Sequence, residues 1–300
     1  MDQTSKMIRH FKKVENKPEK KQIRNIDFIY LINLDARPEK LKKTMRNFAR
    51  YGISPHRFPA ILGWGMPQET FDDIATPLLP GAAFDRFVSF RPGQVRFMGK
   101  QKLNEFSVGK HCVHYTTSAG ALGCYLSHLS VLYDAYQSGY ETIWVLEDDA
   151  ACTEDPHVLI DEIDKLDSWA GPFGWDILFT NNEDHLDLAA LIDVMGGGSM
   201  SRPGIPISQA VLEYQPLSPD FFKIGSRRFA HSMIIRRSGI EKILDFATGL
   251  GIFLPYDVEL AFVPGIRLFN LSRDVVKKSG GCSDTSRFEN FGVDPAVIGN

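Results

Sequence analysis

The chain has 300 residues, is 43% apolar and carries a net charge of −3. That suits one large α/β domain or two small ones and leaves no global basic footprint for nucleic acid. No apolar run nears the ~18–20 residues that cross a bilayer, no apolar signal-peptide core is present, and the cysteines (Cys112, Cys124, Cys152, Cys282) lack zinc-like pairing, so reduced thiols and a cytoplasmic setting are expected.

Residues 1–25 are polar and basic, with Lys6, Arg9, Lys12, Lys13, Lys17, Lys20, Lys21 and Arg24. They read as a tail, solvated or a frayed helix. The sharper alternative is peripheral docking on the inner face of an anionic membrane, which Glu15 and Glu19 dilute. Residues 26–300 read as a single domain. Phe28 to Leu34 is an apolar run suited to a buried strand. Pro38 opens a helix in which Leu41, Met45, Phe48 and Ala49 recur at helical spacing, with Lys40, Lys42, Lys43 and Arg46 on the other face, and Gly52 ends it. A second strand over 53–61 makes a βαβ opening.

Residues 62–118 are rich in proline and glycine and read as short helices and loops, a lid or binding wall. A helix follows from Ala119 to Gly139, with Leu122, Leu126, Leu129, Tyr133 and Tyr136 as its apolar stripe and Ser127, Ser130, Asp134 and Gln137 opposite. Then come a strand from Thr142, a helix over 156–166 and a strand over 175–180. The stretch 181–220, with Gly196 to Gly198, reads as a mobile segment. A strand over 229–235, a helix over 239–246 and a helix opening at Tyr256-Asp257 complete the α/β pattern.

The most informative stretch is Thr142 to Ala150. Four apolar residues, Ile143 to Leu146, run straight into Glu147, Asp148 and Asp149. Ligands of open α/β sheets bind beyond the carboxyl ends of strands. Three adjacent acids repel one another unless hydrogen-bond donors or a cation compensate, and a hard divalent ion, Mn²⁺ or Mg²⁺, is the simplest compensation. The plain alternative is loop or helix-cap acids. Asn33 and Asp35 offer acceptors suited to a nucleoside, though Asp35 could equally cap the helix. His111 and His114 have a His-x-x-His spacing without further ligands nearby, and read as structural. Arg227 and Arg228 could meet phosphate or be solvated.

Several pieces together resemble one family. Phe28-Ile-Tyr-Leu-Ile-Asn-Leu-Asp-Ala-Arg37, Ala60-Ile-Leu-Gly63, Gly120-Ala-Leu-Gly-Cys-Tyr-Leu-Ser-His128, Glu147-Asp-Asp149, Trp175-Asp-Ile-Leu178, Pro255-Tyr-Asp257 and Ser283-Asp284 are similar to the motifs of family 25 glycosyltransferases, which include lipopolysaccharide and collagen galactosyltransferases. The specific part is the Gly-Cys-x-x-Ser-His helix followed by Glu-Asp-Asp. The resemblance implies a GT-A (Rossmann-like) nucleotide-sugar transferase fold with a mixed sheet flanked by helices. It implies inverting transfer of a hexose, galactose by family expectation, from a UDP-sugar to a saccharide or glycolipid acceptor such as lipopolysaccharide core, with Mn²⁺ or Mg²⁺. On this resemblance Asp149 and Asp284 would hold the metal. Asn33, Asp35, Arg37, Ser127, His128, Glu147 and Asp148 would bind the donor, His128 alternatively holding the acidic loop in place. Asp257 would be the general base, its plain alternative being a helix cap. Two departures stand out: Phe229-Ala-His-Ser-Met233 replaces a Gly-Thr-x-Ala-Tyr-like strand, and no acid precedes the Gly-Cys pair. The alternatives are a non-catalytic glycan-binding relative, or a nucleotidyltransferase. The latter usually needs a glycine-rich phosphate loop, and 33–38 contains no glycine.

Overall fold

Alternate residues of the strand Phe28–Asn33 (β1) enter two separate cores. Phe28, Tyr30 and Ile32 belong to one apolar cluster, Ile29 and Leu31 to the other. This period of two is the signature of a strand covered on both faces. The computed structural model describes residues 3–18, 21–78, 87–91, 94–97, 109–114, 116–182, 202–203, 205, 208–280 and 284–285. The segment around Gly196 to Gly198, and Cys282 and Ser283, lie outside the described residues.

The chain enters through a short helix, Gln3–Ile8 (α1). After β1, Pro38–Ala49 (α2) starts with proline, whose fixed φ suits a first turn, and Gly52 takes a left-handed φ of 69° after it. The strand His56–Pro59 (β2) then pairs parallel to β1. Gln68–Ile74 (α3) follows, and Thr76–Pro77 (β3), Phe87–Arg91 (β4), Gln94–Phe97 (β5) and His111–His114 (β6) form a separate antiparallel sheet in the order β3-β6-β4-β5. Next come the long helix Ala119–Gln137 (α4), Thr142–Glu147 (β7), Ala150–Cys152 (β8), Leu159–Ala170 (α5) and Ile177–Phe179 (β9). The remainder supplies Tyr214–Pro216 (β10), Phe221–Ile224 (β11), Ser232–Arg236 (β12), Arg237–Leu250 (α6), Tyr256–Glu259 (α7), Leu268–Leu271 (β13) and Val276–Lys278 (β14).

The main sheet is mixed, in the order β10-β11-β13-β9-β12-β7-β1-β2. β7 is an interior strand, the sixth of the eight, parallel to β1 and antiparallel to β12. α2 and α5 pack on one face through Phe48, Leu159 and Ile163, and α4 and α6 on the other through Leu126, Leu129 and Ile240. Phe48 meets Trp144 edge-on at 5.5 Å. Emptying that fully buried contact would cost roughly 3–5 kcal/mol. Among the described residues, no helix is long and apolar enough to cross a membrane.

Two expectations change together. α4 is buried nearly all round: Ser127, Ser130 and Asp134 are covered, not solvated. What covers that side is the opening segment, expected to be a solvated tail. Met7 is fully buried, Phe11 contacts Tyr133, the Lys12 backbone N–H donates to Ser130 Oγ at 3.1 Å, and Lys17 pairs with Asp134. Among the described residues, four of the eight basic residues of this segment pair with acids of the same chain: besides Lys17, Arg9 pairs with Asp73 and Glu69, Lys21 with Asp27, and Arg24 with Asp164. Charges engaged in this way are less available to a membrane surface. The strand expected from 229 begins only at Ser232, because Phe229 adopts a left-handed φ of 61° and cannot continue a strand.

The glycines of the two motif segments have a packing reason. A Cβ at Gly123 would lie 2.5 Å from the Ile61 carbonyl oxygen, and one at Gly63 would overlap the Ala119 carbonyl. The loop after β2 and the first turn of α4 therefore meet backbone to backbone. Gly120 likewise faces the Thr285 carbonyl, and Ser118 Oγ, which also accepts from the Ala121 N–H, donates to that carbonyl at 2.5 Å.

Candidate active site

The end of β7 opens into a cavity of about 570 Å³. Its floor carries Glu147, Asp148 and Asp149. The walls come from β1, the loop after β2, α4, the segment before β12, α7, β14 and residues 284–285.

Each acid is held differently. Glu147 ends β7, and its Oε1 accepts from His128 Nε2 at 2.9 Å, with Cys124 Sγ at 3.8 Å. Cys124 and His128 are four residues apart on α4, so both side chains present to the same carboxylate. The His128 ring stacks on Tyr256 at 4.3 Å, which fixes its plane. Burial pushes the Glu147 carboxyl up, but the His128 hydrogen bond and the charges of His128, His231 and Lys278 outweigh it and hold the group below its usual range. Asp148 Oδ2 accepts from Asn33 Nδ2 at 2.7 Å, while its carbonyl accepts from Thr44 Oγ1 at 2.7 Å, tying the acidic turn to α2. Burial is the main force on Asp148 and pushes it up to about 6 despite Asn33 and Lys40.

Asp149 is the least compensated. Its Oδ1 is buried and has no hydrogen-bond partner among the described residues. Lys278 Nζ stands 3.7 Å from Oδ2, brought there because β14 pairs with β8 and sets Lys278 opposite Ala150. Burial first, and the Glu147 charge second, push Asp149 up to about 7. A buried, orphaned carboxylate oxygen beside two further acids suits a cation with a preference for oxygen ligands. Among the described residues, the one group of three metal-ligand types whose ligand atoms lie within 4.8 Å of one another is Cys124, His128 and Glu147; it shares Glu147 with the acidic turn, whose own three carboxylates do not converge that closely.

The remaining expected residues divide. Asn33 enters the site, donating also to the Arg37 carbonyl and accepting from Arg57 Nε. Asp35 does not: it is largely exposed and pairs with Arg57. It is not a cap either, because Arg37 is the N-cap residue of α2 and makes no side-chain cap bond. Ser127 is buried, its Oγ bridging the Gly123 carbonyl and the Ile61 N–H, so it holds the wall rather than presenting a free hydroxyl. Arg37 and Lys40 converge on Asp284, at 2.9 Å and 2.5 Å. Those two cations hold the Asp284 carboxyl below its ordinary range against the upward push of burial. The carboxylate expected to complete a metal shell is thus engaged by cations. Asp257 lies in the first turn of α7, its oxygens accepting the Phe229 and Val258 backbone N–H groups at 2.7 Å and 3.0 Å. Burial raises it above the usual carboxylate range, and those N–H groups oppose the rise.

Arg227 is elsewhere: fully buried, it donates to Asn270 and Asn181 and covers the Phe179 ring, so it is structural, while Arg228 is exposed. His114 is buried against Phe253 and Thr116, with its titration pushed down to about 4 by burial, and no metal set forms around it among the described residues.

Lys40, Trp64, Cys124, Phe229 and Lys278 line the cavity without having been singled out for it. Lys40 was hidden in a helix face read as solvated. Trp64 donates Nε1–H to the Asp284 carbonyl at 2.9 Å, a contact no local pattern encodes. The Phe229 backbone is strained by an order of 1–3 kcal/mol for a bulky side chain at positive φ. Its departure from the family pattern was the only local signal.

Comparison with known proteins supplies the context. The family model described as glycosyltransferase family 25 (LPS biosynthesis protein) matches residues 26–175. Proteins called glycosyltransferase 25 family member are similar: one from Drosophila melanogaster is 27% identical over 143 residues, 48% of this chain and 19% of the relative, and one from Aedes aegypti is 28% identical over 172 residues, 57% of this chain and 23% of the relative. The chain thus aligns with about a fifth of the length of these relatives. The matched stretch contains β1, α4 and the acidic tip of β7, so the chain belongs to glycosyltransferase family 25.

Proposed function

We propose that the chain is a metal-dependent glycosyltransferase of GT-A type that moves a hexose, galactose by family expectation, from a UDP-sugar to a saccharide or glycolipid acceptor, with inversion. It would act in the cytoplasm. The observation that carries this reading is the orphaned, buried oxygen of Asp149 among three acids at the tip of β7, inside the cavity that this tip opens into.

Asp149 would hold Mn²⁺ or Mg²⁺, with Asp148 and Glu147 supporting it directly or through water. A bound divalent ion offers Lewis-acid neutralisation of a diphosphate leaving group. The chain's own residues account for the rest. Lys40 lines the cavity on the β1 side and, with Arg37 behind it, holds Asp284, so the three side chains keep a net positive charge there that suits an anionic donor. Asn33, buried and with both amide hydrogens engaged, would act by holding Asp148 at the edge where the nucleoside would lie. Asp257 is suited to take the acceptor hydroxyl's proton. A carboxylate has about four lone-pair sites, so the two backbone N–H groups leave acceptor capacity, and its raised titration makes it the stronger base. His128 fixes Glu147 rather than reaching substrate.

The test is a donor screen reading UDP or GDP release, with Mn²⁺, with EDTA and with Asp149→Ala. Release from UDP-galactose that requires Mn²⁺ and is lost in the variant supports the reading. Full activity in EDTA, or in Asp149→Ala, refutes it.

A further inference from the structure

The eight large apolar side chains left exposed on the described surface include two that line the main cavity, Leu62 and Phe229. Phe229 has unusual support. Its left-handed backbone is locked by its N–H donating to Asp257, and the Lys278 ammonium sits 4.5 Å from its ring centroid. An aromatic residue that is strained, fixed at both backbone and ring, and still 40% exposed gains nothing for the core. Strain held in place by its surroundings points to a use for the side chain.

The sheet order says which use. β7 and its acids lie between β1 and β12. On the β1 side stand Asn33 and the cations around Asp284, suited to a nucleoside diphosphate. Phe229 stands on the opposite side, three residues before β12, where the His231 carbonyl accepts the Glu147 N–H at 2.9 Å. A group joined to a diphosphate centred on the acids, and its reaction partner, would extend toward that side. The electron-rich face of a benzene ring attracts the weakly positive C–H groups on the apolar face of a pyranose. With one face turned to Lys278, a ring has a second face to offer.

We propose that Phe229 is the stacking platform of a hexopyranose subsite on the β12 side of the acids, rigidly aimed by Asp257 and Lys278. This rests on the transferase reading for its role as acceptor site, but the binding itself can be tested without turnover.

Saturation-transfer NMR on the full chain, with methyl β-galactopyranoside and methyl β-glucopyranoside as probes, is the direct measurement. Wild type and Phe229→Trp should transfer saturation most strongly to the protons of one ring face. Phe229→Leu, which keeps an apolar side chain and the same backbone demand but lacks a π face, should lose it. UDP affinity in the presence of Mn²⁺ should stay within about twofold in all three. With transfer assayed, Phe229→Leu should raise acceptor KM by about tenfold, with kcat within about twofold. Should the leucine variant fail to fold, Phe229→Gly, suited to the backbone, takes its place. Sugar binding unchanged in the leucine variant overturns the proposal, as does a wild type that binds neither probe. Loss of UDP affinity in the variant also overturns it, since the ring would then lie on the nucleoside. Sugar binding through Phe229 without UDP release from any donor supports the subsite and removes the transferase reading. UDP release without sugar contact at Phe229 does the reverse.

Discussion

Two aspartates at opposite ends of the sheet, Asp176 buried and Asp149 half-buried with one oxygen sealed from solvent, show what separates a site from a scaffold. Asp176 precedes β9 and is fully buried, yet every direction around it holds a donor: Ser238 Oγ at 2.6 Å, Lys242 Nζ at 2.7 Å, and the Arg267 backbone N–H and guanidinium at 2.8–3.0 Å. Burial pushes Asp176 up, and these donors overcome it, leaving the carboxyl below its ordinary range. Asp149 has one lysine at 3.7 Å, an unpartnered oxygen and two acids as sequence neighbours, and its titration moves the other way. The fold can satisfy a buried carboxylate fully. At the tip of β7 it does not, and stability is forgone where a charged ligand could take up the charge.

The strongest break in this contrast is Asp149→Asn. Turnover should fall by about 10²–10³-fold, the scale of removing one group that meets developing charge, while the denaturation midpoint holds or rises because an unfavourable buried charge is gone. A large loss of stability together with activity would place Asp149 with Asp176 as scaffold. The converse variant, Asp176→Ala, should cost about 3 kcal/mol by urea denaturation. That is the low end for breaking a buried ion pair, since Lys242 and Arg267 keep about a third of their side chains in water. Residual turnover per folded molecule should be close to wild type.

pH sharpens the comparison further. Asp148 and Asp149 titrate higher in the folded chain than the ordinary aspartate value of 3.8. The folded state therefore binds more protons than the unfolded between about pH 4 and 7. The contribution of these acids is fully present below the unfolded value and is lost as pH rises through about 6 and about 7. Without added metal, the melting temperature should drift down over that window, and Asp149→Asn should flatten the drift. Stabilisation by added Mn²⁺ should run oppositely, growing with pH as the carboxylates deprotonate. Asp176 has the reverse sign: its contribution stands above the unfolded value and is lost as pH falls through its lowered one. The smallest effect belongs to Asp35→Ala. Its exposed pair with Arg57 should be worth under about 1 kcal/mol. UDP affinity by calorimetry should not change, and a tenfold loss would return Asp35 to the donor site.

The layered α/β frame was legible because it rests on local periodicity: β1 alternates between two cores, Pro38 and Gly52 bracket α2, and an apolar run delivers three acids to a strand tip. The motif order carried the family. What stayed hidden depends on contacts distant in sequence. The polar face of α4 looked solvated because its cover, the segment bearing Phe11 and Lys17, lies over a hundred positions away and looked like a tail. Asp284 looked like a ligand because Arg37 and Lys40, 247 and 244 residues earlier, could not be placed against it. Lys278 gave no signal until strand pairing set it beside Asp149. Helix periodicity reports which side of a helix is apolar, not what will come to cover the polar side.

The glycine seam between the loop at 60–63 and the first turn of α4 has a practical corollary. Main chain rests on main chain there, so the seam itself has no rotamers with which to give way, and even a methyl group at Gly63 or Gly123 would drive the two elements apart. Libraries meant to reshape this cavity should leave that hinge-free seam intact and vary side chains on the opposite rim, such as Tyr256 and Lys278.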